Sequence, residues 1–130
     1  MRPAPRVPLA IAASGRWGMR LAARFAETWV TNGDRTRPGP VDAAQGARDV
    51  RDQISLLEDA CLEEGRDPSE LSRMVLTGPI LTSGLGSVDE FADTVGRYAA
   101  IGVTDLVVHW PRAEEPYAAD YSSFERIFGA

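Results

Sequence analysis

Apolar and polar positions along the chain alternate between two patterns: short unbroken apolar runs, and longer stretches with helical spacing. Leu9 to Ala13 is an apolar run without alternation, as in a strand covered on both faces. It breaks on Ser14-Gly15, and the helix that follows repeats Trp17, Leu21 and Phe25 every four residues. Arg16, Arg20 and Arg24 form a parallel stripe expected to face solvent. Thr28 to Thr31 reads as a second strand with Trp29 and Val30 at its centre. After the loop "NGDRTRPGPV", Asp42 offers an N-cap with Gln45 as its reciprocal partner. Val50, Ile54, Leu57 and Cys61 then mark one apolar helical face, stopped at Gly65.

Asp67-Pro68 opens a single helical turn, and Met74 to Thr77 reads as a third strand. Ser87 and Glu90 have capping-box spacing, ahead of a helix that carries Val88, Phe91, Val95 and Tyr98 and ends at Gly102. Val103 to Trp110, "VTDLVVHW", is the fourth strand, closed by Pro111. A loop with Glu114 and Glu115, expected to be solvated, leads to a last short helix carrying Phe124, Ile127 and Phe128. The order is β-α four times, which specifies an α/β domain over residues 1–130 with parallel strands and right-handed crossovers.

Composition narrows the chemistry. With 130 residues, 44% of them hydrophobic, the chain can bury a core. All 14 basic residues are arginine, which excludes a Schiff-base lysine and a Walker-type phosphate loop. Cys61 and His109 are the only residues of their kinds, so no intrachain disulfide and no ordinary Cys/His metal site is expected. No Gly-x-Ser-x-Gly elbow accompanies the histidine. A net charge of -5 argues against nucleic acid as a partner. No apolar run nears the ~20 residues that span a bilayer, so no membrane is expected. The opening "MRPAPRVPLAIAAS" has the arginines of a secretion signal, but its prolines and its continuation into a strand-turn-helix read as folded structure. A cytoplasmic location is the default.

In parallel α/β arrangements ligands sit beyond the carboxyl ends of the strands. Those ends here are Ser14-Gly15, Thr31-Asn32-Gly33, Thr77-Gly78 and His109-Trp110. At the first, Ser14, Gly15 and Gly18 leave helix N–H groups open to an anion, and Arg16 adds a charge-assisted donor. The other reading is a plain capped turn with Ser14 on a helix N–H, and spacing alone leaves both open. His109 is a proton-transfer or ring-binding candidate, or a histidine paired to a backbone carbonyl. Trp29 and Trp110 read as core before cofactor-stacking groups. Cys61 reads as inert packing, and Asp105 is assigned no chemistry.

The segments "PLAIAASGRWGMRLAARFAETWVT", "LLEDACLEEGRDPSELSRMVLTG" and "FADTVGRYAAIGVTDLVVHWP" together resemble the bacterial luciferase-like monooxygenases and their F420-dependent relatives, over about Pro8 to Phe128. That resemblance implies a (β/α)8 barrel that binds FMN or F420 noncovalently. It implies an oxidoreductase that transfers hydride to, or activates oxygen beside, a small organic substrate. The cofactor phosphate is then expected on Ser14, Gly15, Arg16, Trp17 and Gly18, with His109 facing cofactor or substrate. Many members carry proline and then a basic residue after the first glycine, where Arg16 and Trp17 stand here. A complete barrel takes ~250 residues, about twice this chain, and the resemblance is to the second half of one. The chain is either a truncated product or one completed by a homodimer or by an N-terminal half-barrel partner. A non-catalytic flavin- or phosphate-binding module and a structural remnant are the alternatives.

Overall fold

The computed structural model describes residues 7–129; the first six residues of the proline-rich lead-in, read above as folded structure, lie outside that range. Four parallel strands, β1 (Ala10–Ala12), β2 (Thr28–Thr31), β3 (Ser72–Leu76) and β4 (Asp105–Val107), form one sheet in the order β1-β2-β3-β4. Between and after them run α1 (Arg16–Phe25), α2 (Ala43–Glu63), α3 (Val88–Ala100) and α4 (Tyr121–Phe128), with a 3-10 turn at Pro68–Glu70. Sequential strand order with right-handed crossovers places the connecting helices on one face, and each helix packs on the next, α1 on α2, α2 on α3 and α3 on α4. This is the arrangement of half a (β/α)8 barrel. Among the described residues no helix is long and apolar enough to cross a membrane.

Register sorts the strand residues. Ile11 pairs with Trp29 and Val75 with Leu106, and all four join the core under the helices. Ala10, Ala12, Met74, Leu76 and Val107 alternate onto the opposite face, outside that core. The expectation of a first strand covered on both faces is therefore corrected: Ala10 and Ala12 are exposed because no helix among the described residues crosses that side. The first strand is also shorter than Leu9 to Ala13. The fourth is Asp105–Val107 rather than Val103 to Trp110, since the Arg73 N–H donates to the Thr104 hydroxyl at 2.7 Å in place of a ladder carbonyl and His109 lies in the following loop. The third begins at Ser72, two residues before the expected start.

Helix α2 follows its pattern closely. The Asp42 carboxylate accepts from the Gln45 N–H, and Val50, Ile54, Leu57 and Cys61 are buried. Gln45 does not return to Asp42, however; its side chain goes to Asp49. Gly65 takes a positive φ of 69° just past the helix end, where only glycine turns at no steric cost. Helix α1 departs from its pattern. Its buried line is Met19, Ala22 and Ala23, continued by Ala26, while Trp17, Leu21 and Phe25 are 78%, 52% and 47% exposed. Small side chains let α1 approach α2 and the sheet, and a Cβ on Gly18 would come within 2.9 Å of Ala13 Cβ. The arginine stripe is exposed as expected, with Arg20 and Arg24 reaching Glu64. In α3 the Ser87 cap on Glu90 holds and Tyr98 is buried as expected, but Val88 and Val95 are exposed and Thr94 is buried instead.

Candidate functional site

The strand ends of one sheet edge carry two separate clefts, whose linings share no residue. The first lies beside the β1-α1 turn. Helix α1 has Gly15 as its N-cap, whose backbone is extended (φ -93°, ψ 169°), and among the described residues no side chain hydrogen-bonds its first-turn N–H groups. That first turn holds no acidic residue, and the space where a Gly15 Cβ would stand is empty to 4 Å. Ser14 is exposed and makes no hydrogen bond among the described residues, so the plain capped turn is absent. Unpaired amides at the positive end of a helix dipole are suited to an anion.

A pocket of about 180 Å³ opens next to this turn, lined by Ala12, Ser14, Val30, Thr31, Asn32 and Arg35 among others. Arg35 is the one charged residue of that lining. It is exposed and has no ion pair or hydrogen bond among the described residues. The sequence reading missed it, because it sits in a composition-defined loop; its signal was only its nearness to the end of β2. A neighbouring cleft of about 310 Å³ shares Ser14 and Arg35 and adds Asp34, Asp49, Asp52 and Gln53. Two of these carboxylates are engaged. Hydrogen bonds from Thr36 hold Asp34 below the ordinary carboxylate range. The Arg37 guanidinium does the same for Asp49, binding both its oxygens at 2.9 and 2.6 Å, against the opposing effect of burial.

The loop that presents Arg35 is tied down from below. Thr31 Oγ1 donates to Gln53 Oε1 at 2.5 Å, Gln53 Nε2 donates to the Gly33 carbonyl, and the Gly33 N–H donates to Thr31 Oγ1. Thr31 and Gln53 are buried, so the network fixes the β2-α2 loop against α2 where water does not compete. Of the five turn residues expected to meet a phosphate, Ser14 lines these clefts; Gly15, Arg16 and Trp17 are exposed beside it, and Gly18 packs on Ala13.

The second cleft, about 280 Å³, lies beyond β3 and β4 and contains His109. Thr77, Gly84, Gly86, Glu90, Tyr117 and Asp120 are among its other lining residues. His109 stacks obliquely on Tyr117, with ring centroids 4.1 Å apart. Gly78, at φ 146°, makes room for that tyrosine, since a Cβ there would fall 2.6 Å from Tyr117 Cε1. The Thr77 hydroxyl donates to the Val107 carbonyl at 2.7 Å and holds the ends of β3 and β4 together under the cleft. Glu115 is exposed as expected but also lines this cleft.

The remaining aromatic and thiol candidates divide. Trp29 is fully buried and donates from Nε1 to the Ala13 carbonyl, so it is core. Trp110 is 66% exposed, with its ring against Tyr121 and Phe124. Cys61 is buried, and burial pushes its thiol up, away from the reactive thiolate. Among the described residues no group of three or more His, Cys, Asp or Glu is placed to hold a metal ion.

No protein-family model matches the chain, and no curated protein matches it by sequence. Solved structures match its fold. A coenzyme F420-dependent tetrahydromethanopterin reductase from Methanopyrus kandleri superposes with a TM-score of 0.56 at 11% identity, over 78% of this chain and 44% of its own. An F420-dependent secondary alcohol dehydrogenase, solved with an F420-acetone adduct, superposes with a TM-score of 0.55 at 14% identity, over 81% and 43%. The chain thus spans less than half the length of these enzymes, and it shares their α/β fold over that half.

Proposed function

We propose that this chain is a cofactor-cradling half of a luciferase-like oxidoreductase. It would take F420 or FMN by the phosphate, for chemistry on a small organic substrate. The observation that carries the reading is the uncapped start of α1 beside Arg35, at the carboxyl edge of a sheet that superposes on two F420-dependent enzymes. The residues fit a phosphate: open amides over Gly15 and Arg16, the Ser14 hydroxyl, an arginine with no ion pair or hydrogen bond among the described residues, and no carboxylate in the smaller pocket. When bound, the cofactor supplies the hydride or the activated oxygen.

The chain's own residues bind and orient. Ser14 and Arg35 hold the anion, and the Thr31–Gln53–Gly33 network keeps Arg35's loop in place. His109 is assigned to the ring or the substrate. β1 and β4 are three inter-strand steps apart, about 14 Å, so a molecule that reaches both clefts is extended, with its anionic tail well separated from its reactive end. Thr77 and Tyr117 fix the floor and wall against which His109 would exchange a proton. The share of neighbour length covered favours a second reading, a half-barrel that binds the cofactor without turnover on its own.

Titration of the purified chain with F420 and with FMN, followed by cofactor fluorescence, tests the site. Saturable quenching that is weakened tenfold or more by Arg35→Ala supports it. No change at high cofactor concentration leaves the structural remnant. Turnover with a reductant present then separates enzyme from binder.

A further inference from the structure

The geometry points to a second copy of this chain as the partner that closes the barrel. The β1-α1 edge of one protomer would lie against the β4-α4 edge of its partner, twice, about a two-fold axis. In the sheet order β1-β2-β3-β4 the outer sides of β1 and β4 have no strand partner among the described residues. Open edges of parallel sheets are normally paired or covered. All four strands run the same way, so the partner's β1 can continue the sheet in parallel beyond β4, and the partner's β4 can do so beyond β1. Two copies joined so give eight strands, the number at which a parallel sheet closes around an interior filled by side chains. Ala10, Ala12, Val30, Met74, Leu76 and Val107, on the face that no helix among the described residues covers, are the side chains that would fill it.

Apolar surface and charge agree with this pairing. Leu21 and Phe25 are exposed on α1; at the other end Trp110, Tyr121 and Phe128 are exposed at 66%, 49% and 47%. The aromatic set there is continuous, Trp110 against Phe124 at 5.2 Å and Phe124 against Phe128 at 4.6 Å. Residues 7–31 carry Arg16, Arg20 and Arg24 against Glu27, a net +2; Glu64 of α2 lies 3.6 Å from Arg20 and 3.9 Å from Arg24, so Arg16 is the member of the stripe with no ion pair among the described residues. Residues 103–129 carry Asp105, Glu114, Glu115, Asp120 and Glu125 against Arg112 and Arg126, a net -3 with His109 neutral. Opposite charge favours first unit against last and disfavours first against first or last against last. That complementarity is contained within one chain, so a second copy supplies all of it. In a two-fold pair, residue i of the first unit meets residue j of the partner's last unit and the converse.

Light scattering on the eluting full chain, without cofactor, tests this independently of the proposed activity. The expected mass is twice the chain's 14.1 kDa. Leu21→Glu and Tyr121→Arg, both at exposed positions, each place a like charge at the junction and are expected to give monomers. Mixed in equal amounts they are expected to restore the dimer, since one junction then pairs Glu with Arg and the other is native. Circular dichroism confirms that each variant is folded. A native chain that stays monomeric from micromolar to hundreds of micromolar overturns the inference. So do open-ended larger species, or a variant that remains dimeric alone.

Discussion

Replacing Gly15 by aspartate is expected to move stability and cofactor binding in opposite directions. Gly15 is the N-cap of α1, its backbone is already in the extended region that an aspartate N-cap uses, and nothing stands within 4 Å of the new Cβ. The first turn has no side-chain cap and no acidic residue. An Asp carboxylate there can accept from the open N–H groups and sit at the positive end of the helix dipole. Asp exceeds Gly as an N-cap by a few tenths of a kcal/mol, and the dipole adds about 0.3–1 kcal/mol. The sum, about 0.5–1 kcal/mol, corresponds to a rise of roughly 0.3–0.5 M in urea midpoint for a domain of this size. The same carboxylate occupies the position proposed for the phosphate and repels it. Loss of about 1.4 kcal/mol in binding is a tenfold weakening, and displacement plus repulsion is expected to exceed that. Urea unfolding without cofactor and F420 fluorescence titration measure the two quantities on one preparation. A variant that gains stability yet binds F420 as tightly as the native chain would falsify the phosphate assignment. A variant that loses stability refutes the prior step, that these amides are unsatisfied.

Gly18→Ala offers a contrast two residues inside the helix. Alanine gains about 1 kcal/mol in helix propensity, but the new Cβ meets Ala13 Cβ at 2.9 Å, and neither atom can rotate away. Overpacking costs about 1–3 kcal/mol, so a net loss of about 1 kcal/mol is expected by urea unfolding; a more stable variant rules out the close strand-helix contact. Tyr98→Phe removes a buried hydroxyl without a partner among the described residues, whose ionisation burial pushes up to about 12. Unfolding of the phenylalanine variant is expected to show equal stability or a gain of about 1 kcal/mol, and a loss of similar size contradicts the absence of a partner. Asp49 has its folded-state pKa depressed by Arg37, so its contribution is present above the ordinary carboxylate value of 3.8 and is lost as the pH falls through the lower folded value. Comparing urea midpoints of the native chain and Asp49→Asn from about pH 7 to about pH 3 tests this: the difference is expected to shrink at the acid end, and a constant difference refutes it.

The alternation of strands and helices and much of the local punctuation are legible from the order of residues alone. Asp42, Ser87, Gly65 and Gly102 act where their chemistry dictates, because capping and positive-φ turns depend on only a few neighbouring residues. The long helix with Val50, Ile54, Leu57 and Cys61 was legible because its strong apolar residues coincide with its buried face. Helix α1 was misread on the same logic. Its largest apolar residues, Trp17, Leu21 and Phe25, are exposed, and its burial rests on Met19 and alanines, which carry little periodic signal. Which side of a helix meets the sheet depends on what stands beside it, and that information is tertiary. The site divides in the same way. The turn at Ser14 and Gly15 was visible as a glycine-rich strand-to-helix junction, but its lack of a cap was decided by the structure, and Arg35 comes from another loop and reaches Ser14's pocket only because β1 and β2 are adjacent. The assignment of His109 to a different cleft was likewise decided by strand order, since β2 and β3 stand between the two ends of the sheet.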